Sequence, residues 1–262
     1  MRALLVILLA SAVAVVAAGC GSGSADETSA PPPSVPVDVV RTETSVGACD
    51  PGVTRRLGSK QRSYAAVVQE SAVAYREPGE SKLATFSRRN VNGVPTVFAV
   101  RAQRLGKDCK PAWFHVQVPL KPNGVTGWVR AGEVKLAAVT TRIVVDLSDR
   151  EVTLFDRGRH VLSAPAAIGS PGTPTPTGRF YVNQRLIPGD TSGPFGPGAI
   201  GISAFSEVLT GWTQGGPIAI HGTNKPALIG GAVSNGCIRV RNDLLVQLFD
   251  RARAGTPVTV RA

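Results

Sequence analysis

The chain has 262 residues, of which 43% are hydrophobic and 18% charged, and its formal net charge is +11 at pH 7. This hydrophobic content is sufficient for a buried core, which excludes a chain that is disordered throughout. The basic residues are scattered through both halves without an arginine-rich helix or an aromatic-basic repeat, so we expect no nucleic-acid partner despite the charge.

Residues 1–20 have the pattern of an export signal. Arg2 precedes an uninterrupted apolar run over residues 3–18, and small residues at 17–19 lead to Cys20. The segment resembles the lipobox of bacterial lipoproteins, in which this cysteine becomes the lipidated first residue of the mature protein. An ordinary secretory signal is the alternative. Both place the mature protein outside the cytoplasm, and the lipobox predicts an anchor in the outer face of the bacterial cytoplasmic membrane.

Residues 21–48 predict a flexible tether. They are rich in Ser, Gly, Thr and Pro and hold few large apolar side chains, so they cannot bury enough surface to offset the entropy of ordering. About 25 such residues have a root-mean-square reach of roughly 25–30 Å. A basic, exported domain on this tether is expected to meet anionic cell-wall polymers or lipid head groups.

Residues 49–138 predict a small all-β module. Short β-prone runs alternate with turn residues every 10 to 20 positions, which is typical of a small barrel. The runs are residues 64–68, 72–76, 96–100, 113–118 and 127–129. Trp113 with Val116, and the closing stretch 124–129, resemble bacterial SH3-like domains. Such a module either binds cell-wall polymer or positions the rest of the protein, and both interpretations remain open at this point.

Residues 139–262 predict a second β-rich domain with one helix. A hairpin pairs residues 143–147 with 151–155, a third strand covers 160–168, and the Pro-stiffened loop 172–177 leads into a fourth. The Gly- and Pro-rich stretch 183–216 predicts a binding loop or lid without regular structure. The fold class is therefore mainly β: a small barrel that resembles SH3-like domains, followed by a larger β-rich domain with one helix.

The end of the chain predicts the helix and a last strand. Asn242 is expected to cap a helix whose apolar face has three-and-four spacing, Gly255 to end it, and residues 257–260 to form a strand. The predicted apolar face consists of Leu245, Leu248, Phe249 and Ala252.

The four cysteines are expected to have three different fates. Lipidation would consume Cys20, and of the remaining three Cys49 and Cys109 bracket the first half, which predicts a disulfide between them. Cys237 would then remain a free thiol. The chain has three histidines and no Cys-x-x-Cys or His-Glu-x-x-His motif, so we expect no metal and no other cofactor.

Residues 218–239 contain the candidate catalytic side chains. His221 follows the apolar run 218–220, and Cys237 comes sixteen positions later in a glycine-containing turn between Ser234 and Arg239. A thiol with an imidazole in reach is the minimum equipment of a cysteine acyl-transfer enzyme, because the attacking species is the thiolate. We therefore interpret Cys237 as the nucleophile and His221 as the general base.

His221, Cys237 and their neighbours resemble the signature of the YkuD-type L,D-transpeptidases. The resemblance extends over residues 141–261. The shared features are the His221–Gly222 pair, the turn from Ser234 to Arg239 and the Pro-Thr-Pro-x-Gly-x-Phe stretch at 174–180, whereas Asn235 stands where the family usually has histidine.

The resemblance also implies roles for the residues around the nucleophile. The carbonyl of Gly222 would orient the base, and the N–H groups of Asn235, Gly236 and Cys237 would form an oxyanion hole. Ser234 and Arg239 would contact substrate, with Arg239 offering its fork to a carboxylate.

The activity implied by the resemblance is acyl transfer on peptidoglycan stem tetrapeptides. Cys237 would release D-alanine, and an amine of a second stem would resolve the acyl-enzyme into a 3→3 cross-link. Resolution by water would make the protein an L,D-carboxypeptidase, and resolution by another protein's amine would attach that protein to the wall. The alternative of a different class is a lipid-anchored, non-catalytic wall-binding protein that acts through its SH3-like module.

Overall fold

The computed structural model describes residues 49–209, 211 and 213–262. The predicted signal segment 1–20, with Cys20, and the predicted tether 21–48 lie outside the described residues. The described residues belong to one compact unit. Among them, no helix combines the length and the apolar character needed to cross a bilayer. The structure is mainly β with one α-helix, which confirms the predicted fold class.

The first sheet is built from eight strands in the order β4-β3-β7-β6-β5-β2-β8, with β1 paired to β5. Its core is a cluster that includes Phe98, Phe114 and Val116. The five predicted strands are all present, but the short β1, the polar β4 and the final β8 were not predicted from the sequence. The strands are β1 (Thr54–Arg56), β2 (Ser63–Val68), β3 (Ser71–Glu77), β4 (Glu80–Ser87), β5 (Val97–Leu105), β6 (Pro111–Gln117), β7 (Thr126–Arg130) and β8 (Val134–Val139).

A disulfide joins Cys49 to Cys109, with the two Cα atoms 5.6 Å apart. It connects the segment before β1 to the turn between β5 and β6. Cys237 is the free cysteine of the described residues.

The second sheet has nine strands in the order β10-β9-β17-β12-β13-β14-β16-β11-β15, and β10 also pairs with β11. This extra pairing closes eight of the strands into a ring, with β15 attached to β11. The strands are β9 (Thr141–Asp146), β10 (Glu151–Asp156), β11 (Arg159–Gly169), β12 (Gly178–Leu186), β13 (Ala199–Phe205), β14 (Pro217–His221), β15 (Ala232–Ser234), β16 (Ile238–Val240) and β17 (Pro257–Arg261).

The expectation that residues 183–216 lack regular structure is wrong in two places. β12 continues to Leu186, and Ala199–Phe205 forms β13, which lies between β12 and β14. Gly201 is in this strand because the chains approach closely, since a Cβ there would lie 2.5 Å from Cγ of Gln184. The glycine that suggested a loop thus serves packing inside a strand.

The helix α1 covers Asn242–Arg251 and packs its apolar face on the second core. Leu245, Leu248 and Ala252 are fully buried, which confirms the predicted face. The predicted capping role of Asn242 is wrong. The N-cap position belongs to Arg241, no side chain caps the helix, and the Asn242 amide oxygen binds elsewhere.

Buried hydrogen bonds join the two sheets. Tyr181 of β12 donates its hydroxyl to the carbonyl of Val97 at 3.1 Å, and Gln117 donates its amide to the carbonyl of Arg179 at 2.9 Å. The Asn123 side chain makes two hydrogen bonds to the backbone of Phe205. Its Oδ1 accepts from the N–H at 2.8 Å, and its Nδ2 donates to the carbonyl at 2.9 Å. Since Phe205 ends β13, the first sheet holds one end of a strand that neighbours the functional site.

We predict that Tyr181→Phe lowers the free energy of unfolding by about 1–3 kcal/mol, because it leaves the buried carbonyl of Val97 without its donor. Urea denaturation of the native and variant proteins measures the change in the free energy of unfolding. Tyr75→Phe is the matched control, because the Tyr75 hydroxyl has no partner among the described residues and its ring packs edge-on against Trp113. Equal effects of the two substitutions would contradict a special role for the bond between the sheets.

Candidate active site

The strand β14 delivers His221 to the site. Ile218 and Ile220 are fully buried in the second core, and His221 ends the strand with only 4% of its surface exposed. β14 runs antiparallel to β13 on one side and parallel to β16 on the other. The predicted buried strand before the histidine is therefore confirmed.

The pairing of β14 with β16 places the thiol and the imidazole on the same face of the sheet. Ile220 lies opposite Ile238, and His221 lies opposite Arg239. Side chains alternate along a strand, so Cys237, two residues before Arg239, points to the same side as His221. The Sγ of Cys237, directly before β16, lies 4.0 Å from the carbonyl oxygen of Pro217 on β14.

The turn before Cys237 is held by Ser234. Its hydroxyl donates to the carbonyl of Cys237 at 2.5 Å and accepts from the N–H of Gly236 at 3.1 Å. Gly236 has φ +104°, a conformation that side chains rarely adopt, and a Cβ there would lie 3.0 Å from Ile218. The turn therefore requires glycine.

These bonds give Ser234 a structural role in the turn. Its side chain is 1% exposed and its hydroxyl is bonded inside the turn, and its contact with substrate stays a prediction. They also change the predicted oxyanion hole, because the N–H of Gly236 is already bonded to Ser234. Of the three predicted donors, the N–H groups of Asn235, which is exposed, and of Cys237 remain candidates.

Two threonines of the loop 173–177 support the same turn. Thr175 donates its hydroxyl to the carbonyl of Gly236 at 2.9 Å and accepts from the N–H of Gly169 at 2.9 Å. Thr173 donates to the carbonyl of Ser234 at 3.0 Å. The sequence identified this loop as stiff, but the hydroxyl contacts were missed because they link residues about 60 positions apart.

The imidazole of His221 is fixed on two sides. Its Nδ1 lies 2.6 Å from the carbonyl oxygen of Gly222, which is the contact the family resemblance implies. A carbonyl only accepts, so Nδ1 carries the proton and Nε2 keeps the free lone pair of a base. The ring of Phe195 packs against it with centroids 4.8 Å apart, although Phe195 itself is 47% exposed.

Burial keeps both reacting groups neutral. It lowers the pKa of His221 from 6.5 to about 4, against the opposing effect of the bond to Gly222, and the charge of Arg239 lowers this pKa further. Burial also raises the pKa of the Cys237 thiol above its ordinary 9.0, while the N–H of Ala219 and the charge of Arg239 act in the opposite direction. The resting pair is therefore thiol and neutral imidazole, so attack requires general-base catalysis.

Arg239 is the charged group that acts on both members of the pair. It stands opposite His221 in the sheet and influences the pKa of both His221 and Cys237. Its Nε is buried and has no hydrogen-bond partner within the described residues. A buried donor without a partner is costly, so the guanidinium is prepared for an anionic group.

The described part of the chain contains no cluster of three or more His, Cys, Asp or Glu side chains that would hold a metal ion.

The second sheet is similar in sequence to known proteins. Residues 140–260 match the family model YkuD, the L,D-transpeptidase catalytic domain. Residues 140–260 are thus similar to the YkuD-type catalytic domain.

Two bacterial relatives illustrate the similarity of this region. The Bacillus subtilis protein YkuD is 40% identical over 119 residues, which cover 45% of this chain and 64% of the relative. The Escherichia coli protein YbiS is 30% identical over 131 residues, which cover 44% of this chain and 43% of the relative. Both names assign their proteins provisionally to the L,D-transpeptidases. The chain thus spans less than two thirds of either relative.

Among solved structures, a mutant L,D-transpeptidase from Enterococcus faecium aligns with 28% identity and a TM-score of 0.37. The alignment covers 46% of this chain and 49% of that one.

For this candidate site we predict an acid limb of kcat/KM near pH 4, because His221 must be neutral to act as the expected base and its pKa is about 4. As the pH falls through this value, the imidazole gains a proton and loses its lone pair. Between roughly pH 6 and 8 the rate should be flat, since both groups keep their protonation states there.

Acylation of Cys237 by a carbapenem, followed by mass spectrometry across this range, measures the profile. Near-UV circular dichroism at each pH is the control for unfolding, because a histidine buried in the neutral form also destabilises the fold as the pH falls below 6.5. An acid limb near 6.5 in folded protein would contradict the neutral pair.

Proposed function

We propose that this protein is an L,D-transpeptidase that acts on peptidoglycan stem peptides. Cys237 attacks the carbonyl between the L-centre of a diamino acid and the terminal D-alanine, while Nε2 of His221 takes the thiol proton. The tetrahedral intermediate collapses to a thioester, and the same proton passes to the departing amine of D-alanine. The amine of a second stem then attacks the thioester, releases the thiol and forms a 3→3 cross-link.

The observation that carries this proposal is the placement of a free thiol and a tautomer-fixed imidazole on one face of two parallel strands. His221 presents a bare Nε2 because Nδ1 is bonded to Gly222. Cys237 is the free cysteine of the described residues, whereas Cys49 and Cys109 are bonded to each other. This division of roles among the cysteines supports a nucleophilic rather than a structural Cys237.

Two further groups support the chemistry. The N–H groups of Cys237 and Asn235 are the proposed donors to the developing oxyanion, and such donors contribute about 3–4 kcal/mol each to transition-state stabilisation. Arg239 is the proposed partner of a substrate carboxylate, since its buried Nε has no partner among the described residues. A carboxylate bound there would satisfy this donor.

The first sheet is proposed as an SH3-like module that supports the enzyme and does not bind sugar polymer. The rings of Trp113 and Trp128 are already packed against other side chains of the module. Arg130 lies 4.6 Å above the ring of Trp113, Tyr75 packs against its edge, and Trp128 is buried against His115. A stacking platform for sugars requires exposed ring faces. This disfavours the alternative of a non-catalytic wall-binding protein.

We also propose that the protein is lipid-anchored through Cys20 outside the cytoplasm, on the evidence of the sequence pattern 1–20 alone. Partition into the detergent phase of Triton X-114 should be lost in Cys20→Ala when the full chain is expressed in a bacterium that processes lipoproteins. A Cys20→Ala protein that still enters the detergent phase would contradict lipidation at Cys20.

The central test is incubation with defined muropeptides. We expect Cys237→Ala and His221→Ala each to abolish acyl transfer and to remain folded, because members of one catalytic unit fail together. Asn235→His, which restores the family's usual residue at an exposed position, is the control and should keep most activity.

Mass spectrometry of the products identifies the acceptor: a dimer for cross-linking, a tripeptide stem for hydrolysis, and a protein adduct for attachment. A native protein that forms no acyl-enzyme, or a fully active Cys237→Ser, would refute the proposed function.

A further inference from the structure

Asn242 projects its side chain into the loops around the catalytic base. It is the first residue of α1, but its amide oxygen points away from the helix and accepts from the N–H of Thr223 at 2.7 Å. The chain contacts it closely from both sides, because a Cβ at either Gly196 or Gly222 would lie 2.4 Å from this oxygen. Only glycine at these two positions leaves room for the amide.

The bond to Thr223 acts on the residue that orients His221. The N–H of Thr223 and the carbonyl of Gly222 belong to one peptide unit, which is planar and rigid. The amide oxygen of Asn242 holds the N–H end of this unit, and Nδ1 of His221 donates to its carbonyl end at 2.6 Å. The orientation of the imidazole therefore depends on how firmly that peptide plane is held.

We propose that Asn242 is a positioning residue for the base, acting through the Gly222–Thr223 peptide in a hydrogen-bond relay that runs from Asn242 to the peptide and on to Nδ1 of His221. The inference rests on the proposed function for its catalytic consequence. The geometry on which it stands does not depend on the substrate.

The relay has two physical effects. First, Thr223 is 4% exposed, so its N–H requires an acceptor and fixes the peptide plane when Asn242 supplies one. Second, an acceptor on the N–H polarises the peptide and strengthens its carbonyl as an acceptor for Nδ1–H. Asn242 achieves this without a charge. A carboxylate in the same place would favour the imidazolium.

The same side chain also positions Phe195. Gly196 follows Phe195 directly and packs against the amide oxygen of Asn242, while the ring of Phe195 contacts the imidazole. Asn242 thus lies between the two segments that hold His221, one on its Nδ1 edge and one on its ring face.

The experiment compares Asn242→Ala, which removes the acceptor, with Asn242→Asp, which keeps an acceptor of the same shape and adds a charge. Asp243→Asn is the matched control, since Asp243 is the next residue of the same helical turn and pairs with Arg241 on the surface. Thermal unfolding verifies that each variant is folded. The His221 tautomer and pKa are read from the imidazole 15N shifts of labelled protein, assigned with His221→Gln.

We expect Asn242→Ala to slow acylation by a carbapenem about 10-fold with little change in apparent affinity, because the base is displaced and the ligand contacts are not. Its 15N shifts should show that the Nδ1–H tautomer is no longer dominant. Asn242→Asp should restore the tautomer and raise the pKa of His221, on which Arg239 of β16 is the charged group that already acts. Asp243→Asn should change neither shift nor rate.

Unchanged 15N shifts and rates in a folded Asn242→Ala would overturn the proposal, and so would equal changes in Asp243→Asn. The imidazole shifts need no turnover, so the inference and the proposed function fail separately. A tautomer that responds to Asn242 in a protein that never forms an acyl-enzyme would support the relay and refute the enzyme. Normal acyl transfer, together with a His221 tautomer that does not change in Asn242→Ala, would support the enzyme and refute the relay.

Discussion

The parallel pairing of β14 with β16 is the constraint on which the site depends. Its register sets His221 opposite Arg239 and so places the thiol, the imidazole and the guanidinium on one face, while Ile220 and Ile238 fill the core on the other. A slip of one residue would exchange the faces and bury the thiol in the core. The isoleucines therefore specify the geometry of the polar face as much as the polar residues do.

The connection between these two strands explains why so many supporting contacts are needed. Parallel strands cannot be joined by a tight hairpin, so residues 222–237 form a long crossover between β14 and β16, which includes the short strand β15 on β11. On the outward path, Thr223 is bonded to Asn242. On the return path, the carbonyls of Ser234 and Gly236 are bonded to Thr173 and Thr175. Helix α1 and the Pro-rich loop thus fix opposite ends of one long crossover.

The sequence predicted the mainly β fold, the strand before His221 and the apolar face of α1, because these depend on local periodicity. It did not predict β13, whose glycine and small residues resemble a loop until the neighbouring strands are known. Asn242 was given the wrong role for a related reason. An amide at the start of a helix commonly caps it, and only the position of the distant Thr223 N–H shows that this amide binds elsewhere.

Burial of the nucleophile has a consequence for its chemical lifetime. Oxidants and mixed disulfides react with thiolates far faster than with thiols, and a thiol whose pKa is raised is almost wholly protonated at neutral pH. The described residues also contain the Cys49–Cys109 disulfide, so two of their thiols are already oxidised. A buried, protonated Cys237 reacts slowly with oxidants, which keeps the proposed nucleophile in its reduced form.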